Sequence, residues 1–203
     1  LRHDTRSSAA EMVRRIGMQA IGRLRNLYGR VAPTIPGEPS ASTAETVIVR
    51  REPPEPFDYL STLLFFKNFT AIEVAKFTAP LKQLYVQRDS VIVKAGEAPD
   101  ALYLVVRGAI ETSMRGESAT RRLRLAGPGR IVGHTRVMKD HEATARVESR
   151  AREHSVLIEI PWTECERMLM SDDRIARRFS DALWTDAVRA VQYGEHPIPN
   201  TSA

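Results

Sequence analysis

Residues 89–110 read DSVIVKAGEAPDALYLVVRGAI. It contains two short apolar runs, Val91–Val93 and Leu102–Val106, with Gly96 and Pro99 between them. Short runs that are rich in valine, leucine and isoleucine and are bounded by glycine or proline are typical of strands joined by turns. The stretch therefore predicts two short β-strands.

Similar strand-like runs lie on both sides of this stretch. They are Leu84–Val86, Ile110–Thr112, Arg122–Leu125, Ala145–Glu148 and Val156–Ile160. Glycine and proline again separate the runs, most densely at residues 127–129. Many short strands at close spacing predict an antiparallel, jelly-roll-like β-roll, so we expect an α+β fold that is mainly β.

Helical patterns flank the predicted roll. Apolar residues at helical spacing precede a capping box formed by Thr70 and Glu73, which predicts the start of a second helix. Beyond the last strand, the pattern predicts a short helix over 163–169 and a long closing helix over 172–191. The predicted domain, residues 57–192, is therefore a β-roll between N-terminal helices and a long C-terminal helix.

A basic amphipathic helix is predicted over residues 1–31. Apolar side chains recur every three or four positions there, and arginines occupy the opposite face. Seven arginines against two acidic residues in this segment account for the net charge of +5 of the whole chain. Residues 32–56 hold six prolines with many serines and threonines, which predicts an extended linker, and residues 193–203 are predicted to be a tail.

Composition limits the setting of the chain. Its 203 residues suffice for one full domain with an appendage, and the single Cys165 excludes a disulfide framework and fits a reducing compartment. The longest apolar stretch, Leu60–Phe66, is too short to cross a bilayer. We therefore expect a cytoplasmic chain that meets membranes only indirectly. Because the first residue is Leu1, the possibility that the chain belongs to a longer parent polypeptide stays open.

Three segments resemble the cyclic nucleotide-binding domain family, which includes catabolite activator proteins, kinase regulatory subunits and nucleotide-gated channels. Leu64–Thr70, LFFKNFT, is similar to the entry into the family's first helical unit, and residues 89–110 are similar to its first hairpin. Leu123–Gly133, LRLAGPGRIVG, resembles the approach to its phosphate-binding cassette. The resemblance implies a regulatory or signalling β-roll, not an enzyme, with a ligand site at the cassette.

The resemblance also names candidate ligand-binding residues. They are Gly133, His134, Thr135, Arg136, Thr144 and Ala145. The cassette departs from the family at two positions. His134 stands where nucleotide-binding members have the glutamate that takes the ribose hydroxyl, and Ala143 stands where their arginine pairs with the cyclic phosphate. The charge-assisted phosphate contact is therefore missing.

These departures lead to two hypotheses for function. The first is a regulatory or protein–protein interaction module that is degenerate for nucleotide, has no cofactor and acts within a larger assembly. The alternative is a working cAMP or cGMP receptor in which Arg136 and His134 supply a non-standard phosphate contact. Binding of another small anionic or apolar ligand stays open between them.

The N-terminal helix is the candidate contact with a partner. Residues 9–30 are expected to dock on a larger protein assembly or on a parent polypeptide. An anionic membrane surface and nonspecific nucleic acid are open alternatives for its arginine-rich face. A homo-oligomer is also open.

Motifs argue against other classes of function. The sequence has no nucleophile elbow or P-loop, and its histidines lack metal-ligand spacing, so we expect no catalytic residues and no metal site. Too few residues follow the closing helix for a helix-turn-helix, so sequence-specific DNA binding is not expected.

Overall fold

The computed structural model describes residues 2–31, 57–116, 119–134 and 146–194. The α-helices within these ranges are α1 (Arg2–Val31), α2 (Phe57–Thr62), α3 (Ala71–Thr78), α4 (Trp162–Met170) and α5 (Arg174–Gly194). The strands are β1 (Lys82–Val86), β2 (Val91–Val93), β3 (Ala101–Arg107), β4 (Ile110–Arg115), β5 (Thr120–Ala126), β6 (Ile131–Val132), β7 (Val147–Ala151) and β8 (Ser155–Pro161). A 3₁₀ turn, Leu64–Phe66, lies between α2 and α3.

The strands form two four-stranded antiparallel sheets. One sheet has the order β1-β8-β3-β6, and the other has the order β2-β7-β4-β5. Consecutive described strands alternate between the sheets, apart from the β4–β5 hairpin, and this alternation wraps the chain into a roll. The predicted mainly-β roll with flanking helices and a long closing helix is confirmed.

The core of the roll lies between the two sheets. Ile110, Val132 and Leu157 are buried there, at strand positions whose side chains point inward. The sequence pattern misses β6, because a strand of two residues, Ile131–Val132, gives no periodic signal. That short strand nevertheless matters, because it leads directly into Gly133 and the start of the candidate site.

The predicted capping box begins α3. The backbone N–H of Glu73 donates to Thr70 Oγ1 at 3.3 Å, and the backbone N–H of Thr70 donates to Glu73 Oε2 at 2.8 Å. Glu73 also pairs with Arg174 and Arg178 of α5, at 2.9 and 2.7 Å. The residue that caps α3 therefore also holds the first turns of the closing helix.

Helix α1 packs along α5. The buried side chains of its apolar stripe are Ala20, Ile21, Leu24, Leu27, Tyr28 and Val31. A Cβ placed at Gly17 would lie 2.3 Å from the indole of Trp184, so a glycine is needed for this close approach. This part of the apolar stripe is thus covered by α5 of the same chain, whereas Met12, Ile16 and Met18 are 64%, 48% and 58% exposed.

The predicted linker, residues 32–56, lies outside the described residues, as does the tail beyond Gly194. The predicted domain boundaries therefore stay predictions. Among the described residues, no helix combines the length and the apolar character needed to cross a membrane.

Candidate functional site

A small cavity lies inside the described part of the roll. Its volume is about 10 Å³. Its lining residues are Tyr28, Val93, Thr112, Arg124, Ile131, Val132, Gly133, His134, Val147 and Ser149. Pockets for drug-sized ligands have volumes of roughly 300 to 1,000 Å³, and a single water molecule already needs about 10 to 15 Å³. The cavity bounded by these described residues is therefore too small for a nucleotide.

A buried ion pair joins the roll to the closing helix at this cavity. Arg124 of β5 and Asp186 of α5 have side chains that are 8% and 5% exposed. Nη2 of Arg124 donates to both carboxylate oxygens of Asp186, at 3.2 and 3.0 Å, and its Nη1 donates to the Ile131 carbonyl at 3.1 Å. The Ile131 backbone N–H also donates to Asp186 Oδ2, at 3.3 Å. The Asp186 carboxylate is thus held by donors that all belong to the roll.

Local structure explains why these charged side chains point into the core. Strand β5 alternates near its end, so Arg124 and Ala126 face inward together. On α5, Asp186 follows Leu183 by three residues and precedes Ala190 by four, which places it on the apolar stripe. Charges at such positions are tolerated when they are paired and hydrogen-bonded, as these two are.

His134 lies beside this ion pair and is buried. The preceding Gly133 has a φ of +101°, and a Cβ there would lie 2.9 Å from the Ala101 carbonyl oxygen, so a glycine is required. Nε2 of His134 is 3.5 Å from Asp186 Oδ2 and has no hydrogen-bond partner among the described residues. Burial lowers the pKa of His134 to about 4; Asp186 opposes this shift, and Arg124 adds to it. His134 is therefore neutral at pH 7.

Acidification is expected to destabilise the chain through His134. The imidazole has a pKa near 6.5 in the unfolded chain and about 4 in the folded chain, so the unfolded state binds the proton first as the pH falls. The stability that depends on neutral His134 is complete above about pH 6.5 and is lost as the pH falls toward 4. Between pH 7 and pH 5 the expected loss of unfolding free energy is about 2 kcal/mol, measured by urea melts.

Two glutamine variants isolate this effect. The variant His134→Gln is expected to lose that part of the pH dependence, whereas His154→Gln, at an exposed turn, should retain it. Asp186 of α5 and Arg124 of β5 face His134 in the wild type, and neither residue is changed in the two variants. If His134→Gln showed the same pH dependence as the wild type, the buried neutral imidazole would not be its source.

Helix α1 contributes to the cavity through Tyr28. Its side chain is 5% exposed, and burial raises the pKa of its hydroxyl, with a smaller opposing effect of Arg124. Another part of the lining is a hydrogen bond of 3.0 Å between the hydroxyl groups of Thr112 and Ser149. Tyr28 of α1 lines the cavity, and Asp186 of α5 lies beside its lining residue His134, so both helices contribute side chains next to this space.

Two of the six predicted site residues line the cavity. Gly133 and His134 do so, and His134 faces Asp186. The other four, Thr135, Arg136, Thr144 and Ala145, lie outside the described residues. The six residues therefore stay a prediction as a ligand site.

The sequence does not predict the positions of Arg124, Asp186 and Tyr28 at this site. The first two carry a usable signal, because each is a charged residue at an inward position of a predicted strand or helix. Tyr28 carries a weaker one, because an aromatic residue on an apolar stripe is ordinary.

Comparison with known families agrees with this architecture. The family model of the cyclic nucleotide-binding domain matches residues 83–172. A Rhodopseudomonas palustris protein named as a candidate potassium channel is 25% identical over 154 residues, which is 76% of this chain. The chain spans 37% of the length of that relative. The predicted resemblance to the cyclic nucleotide-binding domain family is confirmed over these residues.

Solved structures show the same fold. A cyclic nucleotide-binding domain from Methylobacillus flagellatus aligns with a TM-score of 0.56 and 15% identity, over 72% of this chain and 83% of that one. The N-terminal domain of a transcriptional regulator from Streptomyces coelicolor aligns with a TM-score of 0.50 and 16% identity, over 70% of this chain and 99% of that one. At these identities the likeness concerns the fold alone.

Proposed function

We propose, from the premise that residues 83–172 form a domain of the cyclic nucleotide-binding type, that the chain is a regulatory or interaction module whose roll is closed by its own side chains. The observation that carries this proposal is the Arg124–Asp186 pair beside a cavity of about 10 Å³. The module is degenerate for nucleotide, has no enzymatic role and works within a larger assembly.

The energetics of opening support this proposal. A nucleotide would have to push Asp186 away from Arg124, and both charged groups would then need new partners. Breaking a buried ion pair by removing one partner costs about 3 to 5 kcal/mol. The ligand would have to offset that free energy before any net binding was seen.

The state of His134 argues against the alternative of a working receptor. That alternative uses Arg136 and His134 to contact the cyclic phosphate. With a pKa of about 4, the imidazole brings no positive charge to an anion at neutral pH. The phosphate would then depend on Arg136, which lies outside the described residues.

Two observations support a role within a larger assembly. The relative from Rhodopseudomonas palustris is named as a candidate potassium channel, and this chain spans 37% of its length. Met12, Ile16 and Met18 of α1 are exposed next to arginines such as Arg15, which leaves one face of α1 for a partner while the other face holds α5. We therefore place the partner contact on the exposed face of α1.

Calorimetric titration with cAMP and with cGMP tests the closed roll. We expect no binding heat up to about 1 mM ligand, because a dissociation constant weaker than that corresponds to less than about 4 kcal/mol of net binding free energy. Linear 5′-AMP serves as the matched control ligand. Micromolar binding of either cyclic nucleotide would overturn degeneration, and loss of that binding in Arg136→Ala would favour the receptor alternative.

A further inference from the structure

The Asp186 carboxylate is held as a bound anion would be. Both of its oxygens accept from the Arg124 guanidinium, and Oδ2 also accepts from the Ile131 backbone N–H at 3.3 Å. Nη1 of Arg130 lies 3.7 Å from Oδ1, and Nε2 of His134 lies 3.5 Å from Oδ2. Every one of these partners belongs to the roll, and only the carboxylate comes from α5.

We propose that Arg124, Arg130, the Ile131 N–H and His134 form an anion-binding site of the roll for a small carboxylate or phosphate group, kept occupied by Asp186 in the closed state. The inference rests on the proposed function, because it identifies what closes the roll. A ligand of this class enters by competing with Asp186 for the same donors.

Charge and burial define the class of ligand. The guanidinium groups of Arg124 and Arg130 both face the carboxylate of Asp186 in this site. Arg124 is 8% exposed and cannot be hydrated well without its partner. A replacement for Asp186 must therefore bring a negative charge and accept from Nη2 of Arg124 and from the Ile131 N–H, as the oxygens of a carboxylate or a phosphate can.

The unpartnered nitrogen of His134 supports a second contact to such a ligand. Nε2 is buried and has no hydrogen-bond partner among the described residues, although Asp186 Oδ2 is 3.5 Å away. Buried polar atoms are usually hydrogen-bonded, and an orphaned one calls for an explanation. The Asp186 carboxylate is fixed to α5, whereas a free anion can move the few tenths of an ångström closer to Nε2 that a hydrogen bond requires.

Occupation of the site by a ligand has a consequence for the helices. Asp186 lies two residues from Trp184, whose indole packs against Gly17 of α1. A ligand that takes the Arg124 donors leaves Asp186 buried without a partner, which favours withdrawal of α5. Anion binding is thus coupled to the α1–α5 contact.

The test is rescue of the variant Asp186→Ala by small anions. We would compare its melting temperature in formate, in phosphate and in chloride at equal ionic strength and pH 7. At an anion concentration about ten times the dissociation constant, we expect formate or phosphate to raise the melting temperature by about 3 to 6 °C relative to chloride. Response to formate alone would define a carboxylate site, and response to phosphate alone would define a phosphate site.

Three controls separate site binding from general salt effects. The wild type and Asp186→Asn keep a side chain in the site, so they should show only the small nonspecific response to these salts. The double variant Arg124→Met with Asp186→Ala lacks the main donor, so its response should fall to that same level. Equal shifts in Asp186→Ala and in the double variant would overturn the proposal.

Refolding supplies a second measurement where Asp186→Ala is too unstable in chloride. After dilution from urea, formate or phosphate should restore the folded state, and failure to refold in all three salts would also overturn the site. This outcome differs from failure of the proposed function, which would be seen as binding of cAMP or cGMP by the wild type.

Discussion

The variant Arg124→Met is expected to lower the free energy of unfolding by about 3 to 5 kcal/mol. The substitution keeps the length and the apolar stem of the side chain but removes the guanidinium that donates to both oxygens of Asp186. Asp186 is 5% exposed, so its charge would remain buried with Arg130 at 3.7 Å as its nearest guanidinium. Urea melts at pH 7 measure the loss.

A matched pair on the surface provides the control. Arg167 donates to both carboxylate oxygens of Glu164, at 2.8 and 2.7 Å, but its side chain is 55% exposed. Arg167→Met is therefore expected to have a much smaller effect, because water screens and replaces that interaction. If the two arginine variants lost similar stability, burial would not be what makes the Arg124–Asp186 pair strong.

The double variant Arg124→Met with Asp186→Leu tests whether the roll needs this ion pair or only needs the buried position to be filled. Replacing a buried ion pair by apolar side chains of similar volume is often neutral or stabilising. We therefore expect the double variant to be clearly more stable than Arg124→Met alone. That result would indicate that the pair closes the roll specifically and is not needed for its folding.

Most of the fold could be predicted because its signals are local. The strands around 91–93 and 102–106 follow from apolar runs between glycine and proline, and the capping box of Thr70 and Glu73 forms as the sequence predicts. Strand β6 could not be predicted, because Ile131–Val132 is too short to show a period and pairs with β3 through tertiary contacts.

The closure of the site could be predicted only in part. The departure of the cassette at His134 stays a prediction. The neutral state of its imidazole depends on burial, which local sequence does not give. Arg124 and Asp186 are 62 positions apart in the sequence, so their contact depends on how α5 returns to the roll. The apolar stripe of α1 can be predicted from the sequence. That α5 covers this stripe could not be predicted, because it depends on the tertiary contact between Gly17 and Trp184.

The variant Trp184→Ala is expected to lower the free energy of unfolding by about 3 to 5 kcal/mol and to loosen α1. Trp184 is 6% exposed, and its indole fills the space above Gly17, so truncation leaves a cavity between the two helices. Limited trypsin digestion measures the loosening, because Arg15 and Arg23 lie on the exposed face of α1. We expect cleavage at these arginines to become faster than cleavage within the roll.

The other tryptophan of the chain is the control for this experiment. Trp162 begins α4, is half-buried and donates from Nε1 to Glu166 Oε1 at 2.8 Å, so Trp162→Ala should lose about 1 kcal/mol and leave α1 protected.

A comparison of two glycines of α1 tests the same contact more finely. In Gly22→Ala the new methyl group meets no atom within 4 Å, so this variant should stabilise α1 by about 0.5 to 1 kcal/mol. Gly17→Ala instead forces its methyl group into the indole and should destabilise by about 1 to 3 kcal/mol. If Gly17→Ala and Gly22→Ala behaved alike, α1 would not be packed against Trp184, and the closure of the roll by α1 would have to be abandoned.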